Sequence, residues 1–248
     1  MKRDRLPSKL KLLAVPLRAF VLGLCISAGS AIGQSLPLPS NLISLNSDRG
    51  ERLLMESPAR RDYWPLSIHF VSQQNLAYCG VASIVMVLNA LEIPAPVAPE
   101  LVRYRTFTQN NFFSDKTTEV LAAETVARQG MTLEELGGLL ESYPVEAEVY
   151  HASETNLREF RSRVVKNLRE PGNFVLVNYL RRAIGQERGG HISPIAAYHA
   201  KTDRFLILDV SRYKYPPVWV KAGEIWQAMN EIDSTSEKTR GFVLVSRR

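Results

Sequence analysis

The sequence predicts an α+β fold, on three observations. Apolar residues at positions 81, 84, 85, 88 and 91 recur at helical spacing directly behind Cys79. Further helical stretches with recognisable caps fill most of the span up to residue 170. From Asn173 the period falls to two, and the remaining apolar runs alternate as strands do. Helices first and strands later is the α+β arrangement, here a helical lobe over about 41–170 packed on an antiparallel sheet lobe over about 171–246.

Taken in order, Leu36-Pro37-Leu38-Pro39-Ser40 reads as an extended lead-in. A short helix around Arg49–Leu54 is broken by Ser57-Pro58. Asp62-Tyr63-Trp64-Pro65 reads as an aromatic loop packing a lobe edge, and Ser67–Val71 as an alternating strand that holds His69. The Cys79 helix ends before Ile93-Pro94, and Arg103–Lys116 is loop-rich. A helix over Glu119–Arg128 stops at Gly130, and Thr132-Leu133-Glu134-Glu135 is a capping box that opens Leu133–Tyr143. Val145–Tyr150 alternates like a strand, and Leu157–Arg169 is a helix capped by Ser153 or Thr155 and ended by Pro171-Gly172. Strands follow over Phe174–Tyr179, His191–Tyr198 and Arg204–Val210, then a short helix over Gly223–Met229 and a last strand over Gly241–Val245.

Residues 1–33 have the three-part form of a secretory signal peptide. Lys2, Arg3, Arg5, Lys9 and Lys11 precede an apolar run over Ala19–Ala28, and small residues follow, so cleavage is expected after Ala31 or Gly33. That run is about half the length of a spanning helix, which argues for export without a stable membrane anchor. The leader holds six of the 31 basic residues and one of the 25 acidic ones. Its removal leaves 25 against 24, a net charge of +1 in place of +6. The basic excess therefore belongs to the leader, and nucleic acid is not an expected partner. Cys25 departs with it, so the exported chain over 34–248 carries one cysteine in a compartment that makes disulfides.

That cysteine, Cys79, stands where the apolar helix begins. A helix start presents unpaired N–H groups and the positive end of the macrodipole, which favours a thiolate and can hold an oxyanion. Gln73, six residues upstream, offers a side-chain amide as second oxyanion donor, with Gln74 as its rival. A thiol nucleophile needs a base and a group to orient that base. His191 opens one strand and Asp209 ends the next, with the turn near Ala200–Asp203, so an antiparallel hairpin sets them on nearly neighbouring rungs. His199 is the rival base, but it falls in the turn, where solvent exposure is expected; His151 has no assignable acidic partner. No metal-ligand spacing, phosphate loop or dinucleotide fingerprint occurs, and Gly185–Gly190 reads as a mobile loop beside the base.

Gln73, Ala77-Tyr78-Cys79-Gly80-Val81-Ala82-Ser83, Arg188-Gly189-Gly190-His191-Ile192-Ser193-Pro194 and Leu208-Asp209-Val210-Ser211-Arg212-Tyr213-Lys214-Tyr215-Pro216-Pro217-Val218-Trp219 together resemble the phytochelatin synthase family, in its short bacterial and cyanobacterial single-module form. The resemblance implies a papain-like fold with Cys79, His191 and Asp209 as catalytic residues and Gln73 in the oxyanion hole. It implies glutathione as donor, a γ-glutamylcysteinyl thioester on Cys79, and water or a second glutathione as acceptor. No cofactor is required on this reading; heavy-metal ions such as cadmium enter as the metal–glutathione thiolate, a substrate. Asp233 and Arg240 match positions that read the γ-glutamyl end, where a carboxylate and a bidentate guanidinium suit the free amino and carboxylate groups. Gly190, inside the matched motif, is placed on the substrate side with them.

Unlike the plant members, the sequence shows no cysteine-rich segment after this module, so hydrolysis to γ-glutamylcysteine and glycine is expected to outrun phytochelatin synthesis. A homodimer is the candidate assembly. Two other readings compete: a papain-like peptidase trimming Gly-Gly leaders, against which Tyr78 stands where an acidic residue usually precedes the nucleophile, and a non-catalytic exported binder of glutathione or its metal thiolates.

Overall fold

The structure, a computed structural model, describes residues 35–248, so the leader expected over 1–33 lies outside the described residues. The elements run β1 (Ile43–Ser44), α1 (Asp48–Glu56), α2 (Tyr63–Ile68), α3 (Cys79–Ala90), α4 (Asp115–Val120), α5 (Ala123–Gln129), α6 (Leu133–Glu141), β2 (Val145–His151), α7 (Leu157–Asn167), β3 (Asn173–Leu180), β4 (Gly190–His199), β5 (Arg204–Ile207), β6 (Val218–Lys221), α8 (Ala222–Met229) and β7 (Gly241–Arg247). This is the papain-like α+β class the sequence predicts. Among the described residues, no helix is long and apolar enough to cross a membrane.

A seven-stranded sheet in the order β1-β6-β5-β4-β3-β7-β2 forms the frame, and every neighbouring pair is antiparallel. The sheet is not confined to the second half of the chain. β1 and β2 come from the span read as the helical lobe and close its two edges, because their own backbone groups need ladder partners that only the later strands supply. Helices cover both faces. On one, Val81, Ile84, Val85 and Leu88 of α3 and Leu136 and Leu140 of α6 pack with Leu176, Ile192, Ala196 and Val243 of the sheet. On the other, Phe160 and Val164 of α7 and Ile225 and Met229 of α8 meet Val175, Val177, Ile195 and Phe242. Interior strand β3 is accordingly buried on both faces and apolar between Phe174 and Val177, as a strand covered on both faces must be.

Several elements differ from the sequence expectation. α3 is buried all round from Gly80 to Leu88 rather than on one face, because its interior holds almost no polar side chain to turn toward water. The span Glu119–Arg128 divides into α4 and α5, with Leu121 and Ala122 extended between them; Ser114, not a residue near 119, caps the first. Asn156 caps α7, its side chain accepting from Glu159 N at 3.0 Å, in place of Ser153 or Thr155. The proposed strand over Ser67–Val71 is the end of α2 and the loop after it; Trp64 and Pro65 start that helix, where a proline costs no hydrogen bond. The strand expected to reach Val210 stops at Ile207, and β6 was not anticipated because its four residues follow two prolines. The capping box at Thr132 forms as expected, with Thr132 N donating to Glu135 Oε2 at 2.7 Å.

Candidate active site

Cys79 is the first residue of α3, with Tyr78 as N-cap, and is partly exposed to a cavity of about 680 Å³. The helix is fastened to the sheet one turn inward. Buried Ser83 lies 2.7 Å from the Cys79 carbonyl and 3.2 Å from that of Ile192 in β4, with its hydroxyl donating toward both. This fixes the nucleophile's helix against the strand that carries the base.

β4 and β5 form the expected hairpin, with a register shift between Ile195 and Ala197 and with Asp203 in the left-handed region at φ +49 closing the turn. Asp209 lies just beyond β5, where Leu208 N still donates to Pro194 O at 3.0 Å. His191 Nε2 donates to Asp209 Oδ1 at 2.9 Å, and both side chains are buried. The other ring nitrogen, Nδ1, is left for Cys79, which lines the same cavity as His191 and is electrostatically coupled to it. Tyr179, paired with His191 in the β3–β4 register, stands edge-on to the imidazole at a centroid separation of 5.7 Å and limits its rotation. The structure thus brings together Cys79, His191 and Asp209.

The charges reinforce this line. Burial pushes the Cys79 thiol up, but the His191 hydrogen bond and charge, the Ile192 N–H and the Arg181 charge outweigh it and leave the thiol below its ordinary range. Burial pushes His191 down, yet Asp209 reverses that and raises it. Burial would also raise Asp209, whereas His191 and Arg181 hold it well below the usual carboxylate range. A thiolate facing an imidazolium is the state all three shifts favour.

Arg181 was not singled out from the sequence. Its Nη2 donates to Asp209 Oδ1 at 2.8 Å, and another nitrogen of the same guanidinium donates to Gln186 Oε1. Asp209 Oδ1 therefore receives three donors, His191, Arg181 and Ser211 N. Nothing local distinguishes Arg181 from exposed Arg182, so only tertiary structure could reveal it. The same residue anchors the 185–189 loop: Arg181 N donates to Gly189 O and Gln186 N to Arg181 O, while Glu187 N donates to Tyr215 Oη. The loop expected to be mobile is thus held from several sides.

Gln73 is buried and Gln74 exposed. Gln73 N donates to Val210 O at 2.9 Å, its Oε1 accepts from Ser211 Oγ at 2.6 Å, and its Nε2 donates to Asn75 O at 2.6 Å. The side chain is positioned by the segment after Asp209; it does not line the cavity, and one of its amide hydrogens has no partner among the described residues.

Across the cavity lie Asp233 and Arg240, both buried rather than solvated. Arg240 Nη1 donates to Asp233 Oδ2 at 2.7 Å and to Asn178 Oδ1 at 2.9 Å. Gly190, beside His191, borders the same cavity, and a Cβ on it would sit 2.6 Å from Arg240 Nη1. Close approach of the guanidinium is the reason this position is glycine. Asn178 was missed, although a polar residue inside an otherwise apolar strand was a usable signal. The opposite wall comes from Arg128 and Gln129 at the end of α5 and from Met131 and Glu135 at the start of α6.

The remaining histidines are structural neighbours. His151 does have an acidic partner: its Nε2 lies 3.0 Å from Glu134 Oε1, and its Nδ1 bonds the Thr239 carbonyl. His199 is buried rather than exposed in the turn, bonded to Thr202 Oγ1 at 2.8 Å and edge-on to Trp219, far along β4 from Cys79.

Fold and site together define a papain-like protein with a cysteine–histidine–aspartate line at the head of a buried helix. The chain belongs to the phytochelatin synthase family, whose profile matches residues 33–242. It is 34% identical over 215 residues to glutathione gamma-glutamylcysteinyltransferase 1 of Lotus japonicus, covering 86% of this chain and 42% of that one. It is 33% identical to the protein of the same name from Arabidopsis thaliana, covering 90% and 45%. With glutathione gamma-glutamylcysteinyltransferase of Schizosaccharomyces pombe it shares 26% identity, covering 84% and 50%. The chain thus spans half or less of the length of these relatives.

Proposed function

We propose that the protein is a thiol-dependent glutathione γ-glutamylcysteinyltransferase and hydrolase. The observation that carries this reading is that Cys79 and His191, the latter backed by Asp209, border one cavity with the buried Asp233–Arg240 pair. Arg240 takes the α-carboxylate of the γ-glutamyl end and Asp233 its ammonium, each as a charge-assisted hydrogen bond. Cys79 Sγ attacks the carbonyl joining cysteine to glycine. The resulting oxyanion is held by the N–H groups at the head of α3 and by the free amide hydrogen of Gln73. His191 delivers its Nδ1 proton to the glycine nitrogen, the C–N bond breaks, and glycine leaves a γ-glutamylcysteinyl thioester behind. The neutral imidazole then takes a proton from water, which adds to the thioester and releases γ-glutamylcysteine with the thiolate restored.

Hydrolysis outruns transfer to a second glutathione on this reading; Cys79 lines the cavity as a half-buried residue, and water entering that cavity would reach the thioester, which supports it. Cadmium-class ions enter as part of a metal–glutathione thiolate, a substrate. Export by the leader at 1–33 and assembly as a homodimer complete the proposal, the first resting on the leader's tripartite composition.

The test is free glycine released from glutathione by the purified protein and by Cys79→Ser. Release that survives the substitution removes the thioester mechanism, and long phytochelatins formed with cadmium faster than γ-glutamylcysteine reverse the order of the two acceptors.

A further inference from the structure

A second cavity, of about 570 Å³, lies at the other end of α3. It is lined by Ala90, the last residue of that helix, and shares no lining residue with the cavity at Cys79. The eleven-residue rise of the helix separates the two ends by about 16 Å. Its walls are apolar and aromatic, with Trp64, Pro58, Pro65, Pro171 and Phe174. Three charged residues, Arg60, Arg61 and Asp62, complete it.

Asp62 is the unusual member. The residue is only 2% exposed, and Oδ2 has no hydrogen-bond partner among the described residues. It precedes α2 without capping it. A buried carboxyl without a donor is costly, and two neighbouring guanidiniums leave that cost unrelieved. Arg60 is already engaged, with its Nη1 donating to the carbonyls of Met55 and Ser57. Arg61 is exposed; its backbone N–H donates to Leu168 O, while its side chain makes no ion pair among the described residues. The site therefore offers a buried acceptor, a free cation at the rim, and an apolar wall with a half-exposed indole. Burial pushes the Asp62 carboxyl well above the usual carboxylate range, so an arriving ammonium would restore its charge.

A simple organic cation would meet repulsion from Arg61, and a simple anion would leave the buried Asp62 carboxyl without a partner. A zwitterion satisfies both. We infer that this cavity binds a free α-amino acid with an apolar side chain, its ammonium on Asp62, its carboxylate on Arg61, and its side chain against Trp64 and Phe174. The volume suits a ligand of that size. This site is additional to the glutathione chemistry and does not depend on it.

The experiment is calorimetric titration of the full chain with L-phenylalanine, backed by saturation-transfer NMR. One site per chain is expected, with affinity unchanged by Cys79→Ser. N-acetyl-L-phenylalanine, which lacks the ammonium, should bind at least tenfold more weakly to the wild-type protein. Asp62→Asn should weaken L-phenylalanine to the same degree while glycine release and the melting temperature are retained. L-phenylalaninamide and Arg61→Gln should each show a smaller loss, and the two losses should not add. No binding at about 10 mM L-phenylalanine, or equal affinity for the acetylated and free amino acid, overturns the inference. The acetylated ligand tests it on wild-type protein even if Asp62→Asn does not fold.

Discussion

Arg181 and Asp209 form an ion pair of 2.8 Å in which the two side chains are 4% and 0% exposed. The carboxylate that orients the imidazole is therefore itself held by a guanidinium from the end of β3, and the same guanidinium reaches Gln186 in the adjoining loop. Breaking a buried pair from one side leaves the other charge stranded. Arg181→Met is expected to destabilise the fold by about 3–5 kcal/mol, read by chemical denaturation, and to lower kcat for glycine release more than it changes KM. Asp209 has a folded-state pKa below its unfolded value. Its contribution to stability is thus complete above the ordinary carboxylate pKa and is lost as pH falls toward the depressed folded value. Denaturation midpoints measured between neutrality and strongly acid pH should show that loss in wild type and a shallower one in Arg181→Met.

The thiolate–imidazolium pair sets the pH profile. Cys79 ionises below the usual thiol range and His191 keeps its proton above the usual imidazole range. Alkylation by iodoacetamide should rise with pH at a midpoint below that of a free cysteine, because only the thiolate reacts. Glycine release should rise with the same ionisation and fall once the imidazolium loses its proton, giving a bell whose two limbs belong to the pair rather than to either residue. Asp209→Asn weakens the imidazolium, so the alkylation midpoint should move up. An unchanged midpoint would count against the ion pair.

Gly190→Ala places a Cβ 2.6 Å from Arg240 Nη1, and that nitrogen is already bound to Asp233 and Asn178. The guanidinium has to swing away from one of them. Glutathione KM is expected to rise by about tenfold, the equivalent of one lost interaction of about 1.4 kcal/mol, with a smaller change in kcat. Asn178→Ala should raise KM in the same direction, measured by steady-state glycine release, and the two effects should be less than additive because they act through the same arginine.

His151 ties the segment carrying Asp233 and Arg240 to α6. Its ring bonds the Thr239 carbonyl on one side and faces Glu134 on the other, and Glu134 also meets Lys238. Ser153 N donates to Thr239 Oγ1 at 3.0 Å in support. His151→Ala leaves the carbonyl without its partner, at a cost of about 1–3 kcal/mol. KM for glutathione should rise several-fold, with faster amide hydrogen exchange confined to residues 232–240. Exchange spread across β4 instead would assign His151 to general stability.

Periodicity in the chain was enough to place Cys79 at a helix start, because an uninterrupted apolar run behind one residue can only be buried. The His191–Asp209 contact was legible for a different reason: a hairpin is local, and its register follows from turn length. The mistaken elements were short or conditional. The start of α2 was read as an aromatic loop and its end as part of a strand because six residues show both periods poorly, and the Ser114 cap was overlooked because its capping partner is Thr117 rather than an acidic residue.

What the sequence determined alone was the order of helices and strands, the nucleophile's position and the local pairing of its presumed base. The tertiary structure decided which side chains from distant segments share a space: Arg181 behind Asp209, Asn178 beside Arg240, and Asp62 enclosed without a partner. The physical reason is range. Backbone hydrogen bonding and burial of one helix face are set by neighbours within a few residues, whereas the field at a buried charge is set by groups that approach only when the sheet closes.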